Sequence, residues 1–213
     1  MQIQLQAVVP TYFQPDQISR SEVWGKEVTI QKGAHLHIVA PSGSGKTSLI
    51  HFIYGLRKDY SGTIRIGPKD LRSMDPEDFS ALRKEGVSII FQDLRFFENL
   101  TALENIEIKR ILQPYTSEEE VRVMAGRLGV SSKLDQPIRT CSYGEQQRIA
   151  IIRSLVQPFD FILLDEPYSH LDEDNRLKAM KLLYEQCEKR SAAMVFADLK
   201  PLDFLKGEKV LML

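Results

Sequence analysis

The sequence predicts an α/β fold, a largely parallel β-sheet covered by helices, with a helical subdomain set into its middle. Three observations carry this expectation. Short apolar runs of strand length alternate with segments of helical periodicity along most of the chain. A glycine-rich stretch, residues 40–47 (APSGSGKT), sits between one such run and one such helix. A second run, residues 161–164 (FILL), ends in the acidic pair Asp165 and Glu166. In an open parallel sheet, ligands gather at the carboxyl ends of the strands, so Asp165 is expected to face the glycine-rich loop.

In chain order, Ile3, Leu5 and Ala7 alternate with Gln4 and Gln6, the pattern of a strand with one polar face. A loop with Pro10 and Pro15 follows. Val28 and Ile30 mark a second strand, and the apolar run after Gly33, closed by Ile38 and Val39, marks a third. Residues 46–55 read as a helix, with Leu49, Ile50 and Ile53 at helical spacing. Residues 63–66 alternate again. Asp75 caps a helix with Pro76 in its first turn, running to Glu85 and ended by Gly86. Residues 87–91 form an apolar run of strand length. From 101 to 129 the pattern is helical, divided at Pro114, and Ser117 followed by three glutamates opens the second segment. No strand is expected between 93 and 139. Alternation then resumes: helix 142–156, buried strand 161–164, helix 174–190, strand 193–196 and a last strand 209–213.

Composition bounds the function. At 213 residues, 43% hydrophobic and 27% charged, the chain is ordinary for a globular domain, or a core plus a small subdomain. A formal net charge of −1 gives no electrostatic case for nucleic acid or anionic lipid. The two cysteines, Cys141 and Cys187, lack metal-ligand spacing and read as reduced thiols. The N-terminus does not read as a signal peptide, and no run approaches membrane-spanning length, so work at a membrane requires another chain as anchor.

The chemistry begins at residues 40–47. Gly43 and Gly45 let the backbone wrap closely around an anion, and the following helix presents unpaired N–H groups with a partial positive charge. Lys46 supplies a full charge for terminal phosphates, and the Thr47 hydroxyl suits Mg²⁺. The competing reading is a chance Gly/Ser turn before Lys-Thr. In a chain this size that match is on the order of one in a hundred from average residue frequencies. The pattern's first position, usually glycine, is Ala40, small enough for the turn. Asp165 is placed to hold Mg²⁺ directly or through water, and Glu166 to polarise an attacking water. Alone, this acidic pair also fits a strand ending at a solvated turn. Residues 141–148 (CSYGEQQR) fit an ordinary helix start capped by Ser142, with Gly144 allowing close approach of an anion. The order of all three stretches is what narrows the choice.

With these residues in hand, the chain resembles the ATP-binding-cassette (ABC) ATPases over nearly all its length. Residues 40–47 match the Walker A loop, Gln92 the Q-loop glutamine and residues 141–148 the signature. Asp165 ends the Walker B strand, Glu166 follows it, and residues 169–172 (SHLD) look like the D-loop. Residues 91–93 (FQD) and 100–106 (LTALENI) are most similar to the lipoprotein-release, macrolide-export and cell-division type. The resemblance implies an ABC-type P-loop NTPase fold with a mainly parallel core sheet, an antiparallel β part and a helical subdomain. The whole chain is then a single ATPase domain, with 1–92 and 140–213 as core and 93–139 as subdomain.

It further implies ATP and Mg²⁺ as ligands of an ABC transporter ATPase subunit. The nucleotide contacts are Ala40, Pro41, Ser42, Gly43, Ser44, Gly45, Lys46, Thr47, Ser48, Gln92 and Asp165. The metal contacts are Thr47, Gln92 and Asp165, and the catalytic residues Glu166, Gln92 and Lys46. A second ABC ATPase chain is implied, docked head to tail, with Ser142, Gly144 and Glu145 of one copy covering the ATP of the other. Integral membrane permease subunits would take up the power stroke near Gln92 and the helical subdomain, placing the chain in the cytoplasm on the inner face of the cell membrane.

Three departures from the family pattern stand out. Ala197 occupies the place of a histidine that contacts the γ-phosphate, and none of the four histidines, His35, His37, His51 and His170, falls nearby. An alanine side chain donates no hydrogen bond, so hydrolysis is expected to be slow. Tyr143 replaces a glycine, its ring expected to point away from the phosphate, and Cys141 replaces a leucine as a small buried group. Among Tyr12, Phe13 and Trp24, Phe13 is the favoured adenine-stacking aromatic and Trp24 reads as core or surface. His35, His37 and His51 read as structural or surface residues, and His170 as a spacer. The alternatives are a soluble ABC protein outside transport and an ATP-binding dimerisation module with little turnover.

Overall fold

The structure, a computed structural model of the chain, describes residues 1–199 and 209–213. The strands and helices in order are β1 (Gln2–Pro10), α1 (Pro15–Ser19), β2 (Glu27–Gln31), β3 (His35–Val39), α2 (Lys46–Ile53), β4 (Tyr60–Ile66), β5 (Lys69–Asp70), α3 (Pro76–Ala81), β6 (Val87–Ile90), α4 (Ala102–Arg110), α5 (Glu118–Arg127), α6 (Tyr143–Leu155), β7 (Phe161–Asp165), α7 (Glu173–Arg190), β8 (Ala193–Asp198) and β9 (Lys209–Met212). Two sheets result. An antiparallel one has the order β2-β1-β4-β5, and a wholly parallel one the order β6-β7-β8-β3-β9.

Side-chain alternation along the parallel strands builds two apolar layers. Ile38, Ile89, Leu163, Val195 and Ala197 face a layer that contains α2 and the antiparallel sheet. Ile90, Ile162, Leu164, Met194 and Phe196 face a second layer, shared with α4, α5, α6 and α7. Each of these side chains except that of Ala197 contributes roughly 1.5–3 kcal/mol by leaving water. The stretch 93–139 is helical as expected, without a strand and with a single isolated bridge between Thr101 and Pro137. It has no apolar cluster of its own: Ala102, Ile106 and Val121 belong to the same buried cluster as Ile149 and Leu183.

Local chemistry sets the element ends. Asp75 accepts the backbone N–H of Asp78 to cap α3, and Thr101 and Ser117 close reciprocal capping boxes on α4 and α5. Three details differ from the sequence reading. The loop with Pro10 and Pro15 contains α1, because Pro15 pre-sets the first helical φ and the Gln17 side chain accepts the Gln14 N–H at 3.0 Å. The helix opened by Asp75 stays α-helical only to Ala81 and widens into a π turn over Leu82–Gly86 before β6. The short hairpin strand β5 has too few residues to show a period.

Candidate functional site

The phosphate loop leaves β3 and enters α2 at the carboxyl end of the parallel sheet. Its turn uses left-handed backbone at Gly43 (φ 83°) and Gly45 (φ 93°), which glycine alone adopts freely. A Cβ on Gly45 would lie 2.9 Å from the Phe13 ring and 3.0 Å from the Trp24 indole. The loop is held from outside by Trp24 Nε1, which donates to the Ser44 carbonyl at 3.1 Å, and from within by the Ser44 hydroxyl, which donates to the Pro41 carbonyl at 2.8 Å. Lys46 is 5% exposed and folds back over the loop, donating to the carbonyls of Ala40 (2.8 Å) and Pro41 (3.0 Å). Its Nζ is also 3.5 Å from Glu166 Oε1.

The acidic pair arrives from two strands away. Register aligns Asp165 with Ala197 and Ala197 with Ile38, so β8 lies between the acidic strand and the loop-bearing strand. Asp165 is 1% exposed, and neither carboxylate oxygen has a hydrogen-bond partner. Burial pushes its carboxyl up to about 6. Glu166 takes a left-handed backbone (φ 48°), a strained conformation for a residue with a side chain. Two hydrogen bonds hold it there: its N–H donates to the Ala197 carbonyl at 2.9 Å, and its carbonyl accepts from Gln147 Nε2 at 3.2 Å. Ala197 is fully buried in β8.

A cavity of about 270 Å³ opens over the loop, lined by Ser42, Gly43, Gly45, Lys46, Thr47 and Ser48, together with Gln92, Glu166, Tyr12 and Phe13. Gln92 Oε1 accepts from the Thr47 hydroxyl at 3.4 Å. Ala40, Pro41 and Ser44 act through the loop's internal hydrogen bonds instead of lining the cavity. Ser142, Gly144 and Glu145 do not reach it. Ser142 and Glu145 cap α6 for each other: Ser142 N–H donates to Glu145 at 2.7 Å, and Glu145 N–H to the Ser142 hydroxyl at 3.3 Å.

Tyr12 and Phe13 both line the cavity, in different settings. Phe13 is wedged edge-on between Tyr12 (5.3 Å) and the buried Trp24 (5.7 Å). Tyr12, at 47% exposure, is the open ring at the cavity mouth, its hydroxyl 2.6 Å from Ser48 Oγ. Arg57 braces both, donating to Ser48 Oγ at 3.1 Å with its guanidinium 5.2 Å from the Tyr12 ring centre. Residues 11–14 form an irregular turn, which leaves no period from which to read how these rings face. Trp24, read as core or surface, is fully buried; Cys141 is buried as expected, and Cys187 is buried too. His37 stacks on Phe196 at 4.2 Å and His35 packs edge-on to Tyr184, both structural roles. His51 packs on Phe91 but also lines a second cavity with Thr47, Gln92, Tyr143 and Asp165.

A glycine-rich loop between strand and helix, its lysine beside a buried acidic strand end, defines a P-loop nucleotide-binding protein. The family model described as ABC transporter matches residues 25–169. The chain belongs to this family of ATPases. It is 34% identical over 184 residues to a lipoprotein-releasing system ATP-binding protein LolD of Legionella pneumophila (strain Paris), covering 84% of this chain and 81% of LolD. It is 33% identical over 176 residues to a cell division ATP-binding protein FtsE of Bacillus subtilis (strain 168), covering 81% and 76%. A macrolide export ATP-binding/permease protein MacB of Salmonella typhi is 32% identical over 191 residues; the match spans 87% of this chain but 29% of MacB. Among solved structures, a dimeric ATP-binding cassette in a post-hydrolysis state with ADP and Pi superposes with a TM-score of 0.78 at 27% identity, covering 93% of this chain and 88% of the other. The parallel sheet, antiparallel sheet and helices match that fold. No described helix is long and apolar enough to cross a membrane.

Proposed function

We propose that the chain is the ATP-binding subunit of a transport complex, holding ATP and Mg²⁺ at a head-to-tail dimer interface and driving separate permease subunits from the cytoplasmic side of the membrane. One observation carries this reading: the loop, Lys46, Gln92 and Glu166 share one cavity, while Ser142 and Gly144 of the same chain lie outside it. A second copy would complete the site by laying the N-terminus of α6 over the triphosphate. In this reading residues 93–139 form the helical part that passes motion to the permease, and the rest forms the nucleotide-binding core. The relatives LolD and MacB carry transport names, which supports the permease partner.

The residues at the acidic end fit a hard cation. Asp165 offers two buried carboxylate oxygens without partners, beside the Thr47 hydroxyl and the Gln92 amide oxygen. Such an oxygen set suits Mg²⁺, which would neutralise the β- and γ-phosphates when bound. Lys46 would give up its loop carbonyls for phosphate oxygens. Glu166, its backbone held by Ala197 and Gln147, would orient water for attack. Ala197 contributes only a carbonyl to this arrangement, which supports slow turnover. The same feature favours a second reading, an ATP-driven dimerisation module with little hydrolysis.

Light scattering on the Glu166→Gln variant tests the shared site. ATP with MgCl₂ is expected to convert monomer to dimer, and a Ser142→Arg substitution to prevent it. ATP binding with a strictly monomeric mass would overturn the head-to-tail reading. Recovery of permease subunits with the native complex separates the transport reading from the module.

A further inference from the structure

The first turn of α6 carries a side chain that the proposed mechanism leaves unused. Tyr143 follows the capping Ser142, and its ring is 43% exposed. Its hydroxyl donates to the backbone carbonyl of Gln92 at 2.9 Å, joining positions 51 residues apart. The other side of the ring meets His170, with centroids 4.2 Å apart and planes inclined at 55°.

His170 is itself fastened to α6. Its N–H donates to Gln147 Oε1 at 3.1 Å, and its Nδ1 lies 2.8 Å from the Ser169 hydroxyl. Gly144 leaves room for this approach, since a Cβ there would fall 3.0 Å from the His170 carbonyl. The N-terminal part of α6 therefore grips two segments at once. Tyr143 takes the Gln92 carbonyl, while Gln147 takes the Glu166 carbonyl and the His170 N–H. Gln92 in turn points its side-chain oxygen at Thr47, and Tyr143 walls the cavity of about 380 Å³ that contains Thr47 and Asp165.

We propose that Tyr143 is a positioning residue for Gln92: its hydroxyl ties the glutamine's backbone to the start of α6, so the amide stays aimed at the metal side of the site only while α6 holds its place. This deepens the reading of Gln92 as a ligand on the metal side and rests on it. Glycine, the usual residue at this position of the family pattern, has no group with which to make the tie. The phenol makes it with one neutral O–H···O=C bond, which a phenylalanine removes while keeping the ring on His170. A single such bond, at 0.5–1.5 kcal/mol, corresponds to a change of about 2- to 13-fold.

The test is a double-mutant cycle in the full chain, with Tyr143→Phe and Gln92→Ala singly and together. ATP binding is titrated against MgCl₂ concentration, single-turnover hydrolysis is followed, and a thermal melt checks folding. Tyr143→Phe is expected to raise the MgCl₂ concentration for half-saturation and lower the hydrolysis rate by about 2- to 13-fold, with a drop in melting temperature of no more than roughly 1–6 °C. In the Gln92→Ala background, the same substitution is expected to change neither. Equal effects in both backgrounds, or no effect of Tyr143→Phe in the parent, would overturn the positioning role. No effect of Gln92→Ala alone would overturn the metal-side reading of Gln92 and this inference with it.

Discussion

Gly45 offers a quantitative test of how the phosphate loop is held. Alanine at Gly45 must take φ 93° and place its Cβ 2.9 Å from Phe13 and 3.0 Å from Trp24. The indole is anchored by its bond to the Ser44 carbonyl and buried, so the clash falls on a wall that cannot swing away. Gly43 supplies the control: its φ is 83°, but a Cβ there has no neighbour within 4 Å. Gly43→Ala thus carries the backbone penalty alone, about 1–2 kcal/mol. Gly45→Ala adds overpacking of about 1–3 kcal/mol, for a total of roughly 2–5 kcal/mol. At about 2–4 °C per kcal/mol for a chain of this size, the expected drops are roughly 2–8 °C and 4–20 °C. Melts are run without nucleotide, because bound ligand stabilises the folded state by mass action. Identical melting temperatures for the two variants would refute the claim that the aromatic wall braces the loop.

Three further outcomes are expected. Lys46→Ala abolishes ATP binding in an equilibrium titration; unchanged affinity would undo the phosphate-loop assignment. Ala197→His raises the ATPase rate of the assembled complex while lowering the melting temperature, because a ring enters a fully buried site at about 1–3 kcal/mol; an unchanged rate in a folded variant would sink the slow-hydrolysis reading. Burial lowers the His37 pKa from 6.5 to about 4. The unfolded chain therefore takes up the proton first as pH falls. The stability contribution is intact above 6.5 and is lost downward through 4, about 2 kcal/mol of it between pH 7 and 5. Urea melts of His37→Phe are expected to show a shallower acid loss than the parent, and parallel curves would count against burial as the cause.

Most of the sheet was legible because its strands are buried on both faces or alternate cleanly. Residues 161–164 and 193–196 could hardly be anything but interior strands, and both lie in the parallel sheet. The phosphate loop and the acidic pair were legible because their chemistry needs particular residue types next to each other in sequence. Contacts to backbone atoms were not. The Tyr143 hydroxyl meets a carbonyl, and any residue at position 92 would present one. The facing of Tyr12 and Phe13 was not legible either, because residues 11–14 form an irregular turn with no period. Ser142 and Gly144 illustrate a different limit, since they lie outside the cavity and their role in the proposed dimer would need a second chain.

The alternation along β8 makes the parallel sheet a partition between two apolar layers. Met194 and Phe196 belong to the helical layer, while Val195 and Ala197, their immediate neighbours, belong to the phosphate-loop layer. A substitution at Met194 or Phe196 therefore acts first on the helical layer, and one at Val195 or Ala197 first on the layer under the nucleotide loop. Amide exchange would register the division: loosening by Met194→Ala should spread through α4 and α6 and spare α2, whereas Val195→Ala should do the reverse.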